Sequence, residues 1–248
     1  MDAYLQRIGV SRPAHADLDA LRVLQRAHLG TVPFENLSIH LGERIRLDEP
    51  ALLNKIVQRR RGGFCYELNG AFALLLTDLG YRVTLHSART WGGTRYGFPF
   101  DHLALVVDLG APWLVDVGFG TFGHHPVRLD VAGPQPDPGG SFAVVPHGGE
   151  DWDVSLDGSP QYRLDRRPYE IGDFGPACWF HQTSPDSHFT TSLTCSRLTG
   201  DGRITLSGHT LITTTGADRH ERILDEAETL QVYREQFGIA LDRLPAQP

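Results

Sequence analysis

Cysteine is scarce in this chain. Three residues, Cys65, Cys178 and Cys195, are spread over 248 positions. A low, odd number is no disulfide framework, and the expected setting is a reducing compartment. The first residues lack the charged, apolar and cleavage regions of a signal peptide. No apolar run is long enough to span a bilayer. The expectation is therefore a cytoplasmic protein that is not embedded in a membrane. Positive charge is also in short supply: 23 Lys and Arg stand against 30 Asp and Glu, a formal net charge of −7. A general nucleic-acid binder would need a basic face, so no nucleic-acid partner is expected. Arg59, Arg60 and Arg61 form the only tight basic run. It reads equally as a solvated helix end, where cations suit the dipole, or as a greeting for an anionic ligand. Internal repeats and low-complexity tracts are missing too.

Enough is present for an ordinary globular protein. Hydrophobic residues make up 40% and charged residues 21%, and the length suits one large domain or two to three small ones with a substantial core. The first third reads as helical. Residues 2–8 stop at Gly9. Residues 17–29 carry Leu18, Leu21 and Leu24 on one face and stop at Gly30. Asp48-Glu49-Pro50 starts a helix whose apolar stripe is Leu52, Leu53, Ile56 and Val57. From Tyr81 the period changes to that of strands: 83–89, 102–107 and 113–117, then 127–129, 142–145, 152–156 and 162–164. Residues 132–140, rich in Pro and Gly, read as a surface loop. Many short strands in succession suggest a barrel or sandwich. The last third is mixed. Strands are expected over 189–196, 204–206 and 210–214, with Asp201-Gly202 a hairpin turn, and a helix over 223–237. The fold class is α+β, with boundaries set by composition near residues 80 and 175.

The chain is organised around Arg61-Gly62-Gly63-Phe64-Cys65-Tyr66-Glu67-Leu68-Asn69-Gly70. Two glycines permit a sharp loop and close approach of other groups. Leu68, Phe72, Leu75, Leu76 and Leu79 then repeat with helical spacing, and Gly80 is the stop. Cys65 thus falls in the first turn of a helix, where free N–H groups and the dipole favour a thiolate. The plain alternative is a buried, inert thiol. A nucleophilic thiolate needs a base. His102 opens one expected strand and Asp116 lies on its neighbour, joined through a turn at Gly110, Ala111 and Pro112. A hairpin could set them side by side, with Asp116 orienting His102 and His102 facing Cys65. Asp116 lies between Val115 and Val117, where an unpaired carboxylate would be costly. Taken alone, His102 is equally a locally satisfied histidine, and Asp116 equally a turn or capping acid near Gly118.

Several motifs in order resemble those of the arylamine N-acetyltransferases, over positions 4 to about 211. They are Arg-Gly-Gly-Phe-Cys-Tyr-Glu-Leu-Asn at 61–69, Pro33-Phe34-Glu35-Asn36-Leu37, His102-Leu103-Ala104-Leu105-Val106 and Asp116-Val117-Gly118-Phe119-Gly120. Thr183-Ser184-Pro185-Asp186-Ser187-His188-Phe189-Thr190-Thr191 is similar to a further motif of that family. The resemblance implies a helical domain over 1–80 that carries the nucleophile. It implies a β-barrel domain over 81–175 with the histidine and aspartate, an α/β lid over 176–248, and a catalytic core like that of cysteine proteases. It also implies Cys65 as nucleophile, His102 as base and Asp116 as orienter. Phe34, Phe119 and Phe189 would line the substrate pocket, with ordinary core packing as the alternative for each. Gly120 and Thr121 would meet the cofactor. Gly118 and Gly120 would let backbone approach a ligand, and Glu67 and Asn69 would brace the loop presenting Cys65.

The implied reaction is two-step. Cys65 takes an acetyl group from acetyl-CoA through an oxyanion held by nearby backbone N–H groups. An aromatic amine or hydrazine then takes it from the thioester, with ping-pong kinetics. The C-terminal part is short, and Asp101, next to His102, departs from the family pattern. An acid there would raise the His102 pKa and shift acceptor preference. The same resemblance covers amide synthases that release a polyketide from an acyl carrier protein as a macrolactam, and these are the alternative. A thiol hydrolase with water as acceptor is a further rival. A metal-binding module using His124 and His125 meets no ligand-spacing template, and no metal is expected.

Overall fold

The computed structural model describes residues 1–121, 123–200 and 202–248. The chain begins with α1 (Asp2–Ile8) and α2 (Leu18–Thr31). The Asp17 side chain caps α2 by accepting from Ala20 N at 2.9 Å, the role short acids take at helix starts. Gly30 is inside this helix rather than its stop. A short strand β1 (Phe34–Glu35) and a helix α3 (Leu37–Leu41) follow. Next comes α4 (Glu49–Leu53), which runs into a π-helical turn at Asn54–Gln58. The central helix is α5 (Cys65–Asp78), and Gly80 just beyond it takes the left-handed φ of 93°.

Eight strands make the second layer: β2 (Arg82–Thr90), β3 (His102–Asp108), β4 (Pro112–Val115), β5 (Val127–Arg128), β6 (Gln135–Asp137), β7 (Gly140–His147), β8 (Asp151–Leu156) and β9 (Ser159–Tyr169). Their order is β5-β4-β3-β2-β9-β8-β7-β6. The outer strands are joined by a side chain. The Gln135 amide accepts from Arg128 N at 2.9 Å and donates to Arg128 O at 2.8 Å. It substitutes for a ladder partner and nearly closes the barrel, which removes two sheet edges. The barrel interior holds Ala88, Ala104, Val106, Leu114, Phe142 and Tyr162.

A 3₁₀ turn (Ile171–Phe174), α6 (Gly175–Thr183) and α7 (His188–Thr191) lead into the last layer. That layer is β10 (Thr194–Leu198), β11 (Gly202–Ser207), β12 (Thr210–Thr215), β13 (Asp218–Ile223) and α8 (Glu226–Phe237). Its sheet runs β1-β10-β11-β12-β13, so Phe34 and Glu35 from the first third form one edge of it. The class is α+β, with helices first, an eight-stranded barrel-like sheet next and a further sheet last, as expected.

Five further local expectations differ. Phe189 sits on α7, not on a strand, because Ser187 caps that turn by accepting from Phe189 N at 3.2 Å. Residues 135–137 form β6 inside the expected loop. The last helix starts at Glu226, after a separate strand β13. There Asp225 caps the helix, accepting from Glu228 N at 2.8 Å. The expected 113–117 strand ends at Val115. Helices α3 and α6 are additional to the expected set. The expected Asp201-Gly202 turn rests on Asp201, which lies outside the described residues.

Arg59 and Arg60 are exposed at the end of the π-helical turn, as the solvated-helix-end reading has it, whereas Arg61 fits neither sequence reading. Arg61 is buried and pairs with Glu35 at 3.0 Å and Glu43 at 3.4 Å. Lys55 lies 2.6 Å from Glu67 and 4.0 Å from Glu35. Glu67 in turn accepts from Phe64 N at 3.3 Å. This network holds the loop that leads into Cys65. Gly62 and Gly63 let the loop lie against the chain around β1: a Cβ on Gly62 would stand 1.8 Å from Pro33 O. Burial alone would raise the Glu35 pKa, but Lys55 and Arg61 hold it below its usual value. Arg61→Ala is therefore expected to lower unfolding free energy by about 3 kcal/mol, because it removes the nearer of the two cations that face a buried carboxylate. Urea titration of both proteins checks this, and a loss under ~1 kcal/mol would contradict it.

Candidate active site

Cys65 is the first residue of α5 and is 3% exposed. His102 is the first residue of β3 and Asp116 follows the end of β4, and both are buried. The β3–β4 ladder pairs Leu105 with Val115 and Asp108 with Pro112. Continued, that register would face Asp116 with Ala104 and not with His102. The two meet because the chain leaves the strand at Asp116. His102 Nε2 donates to Asp116 Oδ2 at 2.7 Å, and the Cys65 side chain lies beside the same ring. With Nε2 engaged by the acid, Nδ1 is the nitrogen left for the sulfur. The structure thus brings together the three residues singled out in the sequence.

Asp116 is held from all sides. Its Oδ1 accepts from Asn69 Nδ2 and from Gly118 N, each at 2.9 Å. Its Oδ2 also accepts from Tyr162 OH at 3.1 Å. Asn69 does more than brace the Cys65 loop. Its Nδ2 donates to Leu103 O at 2.6 Å and its Oδ1 accepts from Val117 N at 2.9 Å. One turn of α5 therefore fixes Cys65 and, through Asn69, both the histidine strand and the acid. Gly118 also takes a different role from the one expected. A Cβ there would stand 2.7 Å from the Cys65 Cα, so its bareness admits the start of α5 rather than a ligand. Tyr162 was not legible as a site residue, since strand periodicity marks it only as core.

Burial alone would lower the His102 pKa. The Asp116 charge, the hydrogen bond to it and the Cys65 side chain outweigh burial and push it up to about 10. Asp101 plays no part in this. Its carboxylate turns to Thr90 N at 3.2 Å and lies 3.2 Å from His181 Nε2. The expectation that Asp101 raises the His102 pKa is thereby corrected.

A raised folded-state pKa stabilises the folded chain while the ring is protonated. That contribution is full below the usual value of 6.5 and is lost as pH rises through about 10. The melting temperature of the wild type is expected to fall from pH 7 to 10 more steeply than that of His102→Gln. Parallel curves would contradict the raised value.

The three phenylalanines divide into two groups. Phe119 stands edge-on to His102, with ring centroids 5.1 Å apart. Phe34 and Phe189 lie 6.2 Å from each other, and Phe189 meets Phe64 at 5.3 Å. Gly120 joins the groups, since a Cβ there would be 3.9 Å from the Phe34 ring. The other cysteines have different surroundings. Burial pushes the thiol pKa of Cys178 and of Cys195 well up. Among the described residues no three metal-binding side chains converge, and no helix is long and apolar enough to cross a membrane.

A family model described as N-acetyltransferase matches residues 17–245. The fold and this match place the chain in the class of N-acetyltransferases. A curated arylamine N-acetyltransferase of Mycolicibacterium smegmatis is 34% identical over 258 residues, covering 98% of this chain and 93% of its own length. The solved arylamine N-acetyltransferase of Salmonella typhimurium superposes with a TM-score of 0.92 at 28% identity, covering 100% of this chain and 93% of its own. The Mycobacterium marinum enzyme, solved in complex with CoA, gives 0.87 at 30% identity, over 96% and 92%. The chain belongs to the arylamine N-acetyltransferase family.

Proposed function

We propose that the chain transfers an acetyl group from acetyl-CoA to an arylamine or hydrazine through a thioester on Cys65. The observation that carries this reading is the buried line of Cys65, His102 and Asp116 at the start of α5. A ring kept protonated by Asp116 is a cation beside the sulfur, and such a neighbour favours the thiolate. The thiolate attacks the thioester carbonyl. First-turn N–H groups of α5, which have no partner within the helix, support the oxyanion. Coenzyme A leaves as its thiol, and the imidazolium is the proton source for it. The amine then attacks the acyl-enzyme, His102 takes its proton, and the sulfur leaves as thiolate. Asp116 orients the ring and stabilises its charge throughout.

Phe34, Phe119 and Phe189 serve as the apolar wall for the arene, and Gly120 and Thr121 as backbone contacts for the donor. The division at residues 80 and 175 and a cytoplasmic setting belong to the same reading. Acetyl-CoA and an aromatic amine are its small-molecule partners. Intact-mass measurement after mixing with acetyl-CoA tests it. An acetyl adduct that disappears when an arylamine is added supports transfer. No adduct, with reaction on a longer chain thioester held by an acyl carrier protein, would instead support the amide synthase. Thioester consumption without amine would support the hydrolase.

A further inference from the structure

Asp101 stands immediately before His102, and its side chain is 11% exposed. Burial alone would raise its pKa, but His181 and Thr90 hold it below the usual carboxylate value. A carboxylate kept ionised under cover needs donors facing it. Thr90 donates to it from N, at 3.2 Å, and from Oγ1. His181 Nε2 stands 3.2 Å away. An ionised carboxylate only accepts, so His181 meets it with an N–H. The backbone at Gly97 lies against the same group, where a Cβ would collide with the carboxylate.

His181 is on α6, and its other ring nitrogen, Nδ1, is 3.0 Å from Ser187 Oγ. Ser187 is the residue that caps α7 through Phe189 N. The His181 ring meets Phe189 edge-on, with centroids 5.1 Å apart, and stacks on Phe98 at 5.5 Å. From the first third of the chain, Asn36 Nδ2 donates to Phe189 O at 2.9 Å. A line of contacts therefore runs from the residue before the histidine of the site to one of its aromatic rings. Helix α7 has four residues, too few to hold a helical turn unaided. The place of Phe189 is set by these partners.

We propose that Asp101 and His181 are positioning residues for the acceptor half of the reaction. They fix the Phe189 ring against the arene and leave the acetylation of Cys65 alone. The assignment rests on the acetyl-transfer reading above, with Phe189 in the apolar wall. Asp101 thus bears on the acceptor through packing and not through the imidazole.

Ping-pong kinetics separate the two halves. The kcat/KM for acetyl-CoA reports the steps up to release of coenzyme A, and that for the amine reports the steps after it. Aniline and hydrazine are the acceptors compared: the first has a ring for Phe189 to meet and the second has none. His181→Ala is expected to lower kcat/KM for aniline about tenfold, the loss of one aromatic contact. The values for hydrazine and for acetyl-CoA should stay within about twofold of wild type. His181→Gln, whose amide can still meet Asp101, should recover part of the aniline rate. Asp101→Asn removes the charge and keeps the shape. It should show a smaller loss, again confined to aniline, and it carries the comparison by itself if the alanine variant does not fold. Equal losses with aniline and hydrazine would place the effect on His102 or on the fold at large and overturn the proposal. A loss with acetyl-CoA, or none with aniline, overturns it too. A wild-type chain that gains no acetyl group, or passes it to neither acceptor, overturns the acetyl-transfer reading and this one with it.

Discussion

Mixed with acetyl-CoA in the absence of an amine, the wild-type chain is expected to gain one acetyl group, and Cys65→Ala to gain none. Cys178 and Cys195 act as internal controls. Burial pushes both thiols up, away from the reactive anion. Cys65 differs because His102, raised to about 10, stands beside it as a cation. Transfer by Cys65→Ala should fall to background, because no other group can form the thioester. The alanine variant removes one sulfur that is almost fully buried, so the fold should persist and circular dichroism should be unchanged. An acetyl adduct on Cys65→Ala, or turnover near wild type, would end the mechanism.

The second large effect is expected from Asp116→Asn. The Asp116 side chain accepts from Asn69, Gly118, Tyr162 and His102. An amide has one accepting oxygen, and its NH₂ group must face donors wherever it is turned. Either Nε2 of His102 or the Asn69–Gly118 pair loses its acceptor. In the first case the ring flips tautomer or turns away from Cys65, and the charge that raised its pKa is gone. Transfer is expected to drop on the order of 10³–10⁴-fold, as for orienting acids in related triads. Stability should fall by only about 1–3 kcal/mol, the cost of leaving a buried donor unmet. Single-turnover deacetylation with an arylamine, measured beside a urea melt, separates the two effects. A loss under tenfold would mean that the acid is not what keeps His102 in place.

Much of the site could be read from the chain because its parts are locally encoded. Gly62-Gly63 before Cys65, and apolar residues at helical spacing after it, define a loop and a helix start without help from the rest of the protein. The strand at His102 follows from its short continuous apolar run, Leu103 to Val107, bounded by Asp108. Asp116 is legible as an acid among valines that needs a partner. What could not be read was how the partners are held. Asn69 looks like any polar residue on a helix, yet it spans β3 and the Asp116 loop. Tyr162 lies 46 positions from Asp116 and reads as core. Gly118 looks like a ligand-facing glycine, and the backbone it admits belongs to Cys65. Asp101 looks like a perturber of its neighbour His102, and its charge is spent on Thr90 and His181.

The element errors share one cause. Phe189 has strand-like neighbours but follows a Ser that caps a short helix. Residues 135–137 look like a Pro-rich loop, yet Gln135 and Asp137 are used to seal the barrel against 124–128. In each case a side-chain bond to backbone overrides local propensity, two positions away for Ser187 and 7 to 13 away for Gln135 and Asp137.

The sequence by itself determined that a thiol opens a helix behind a glycine loop, that an imidazole opens a strand, and that the class is α+β. These follow from patterns a few residues long, where sterics and periodicity act. Only the tertiary structure decided that the acid reaches the imidazole off the end of its strand. The same packing buried Arg61 in a charge network. Each depends on which distant groups share a low-dielectric space, and chain order does not encode that proximity.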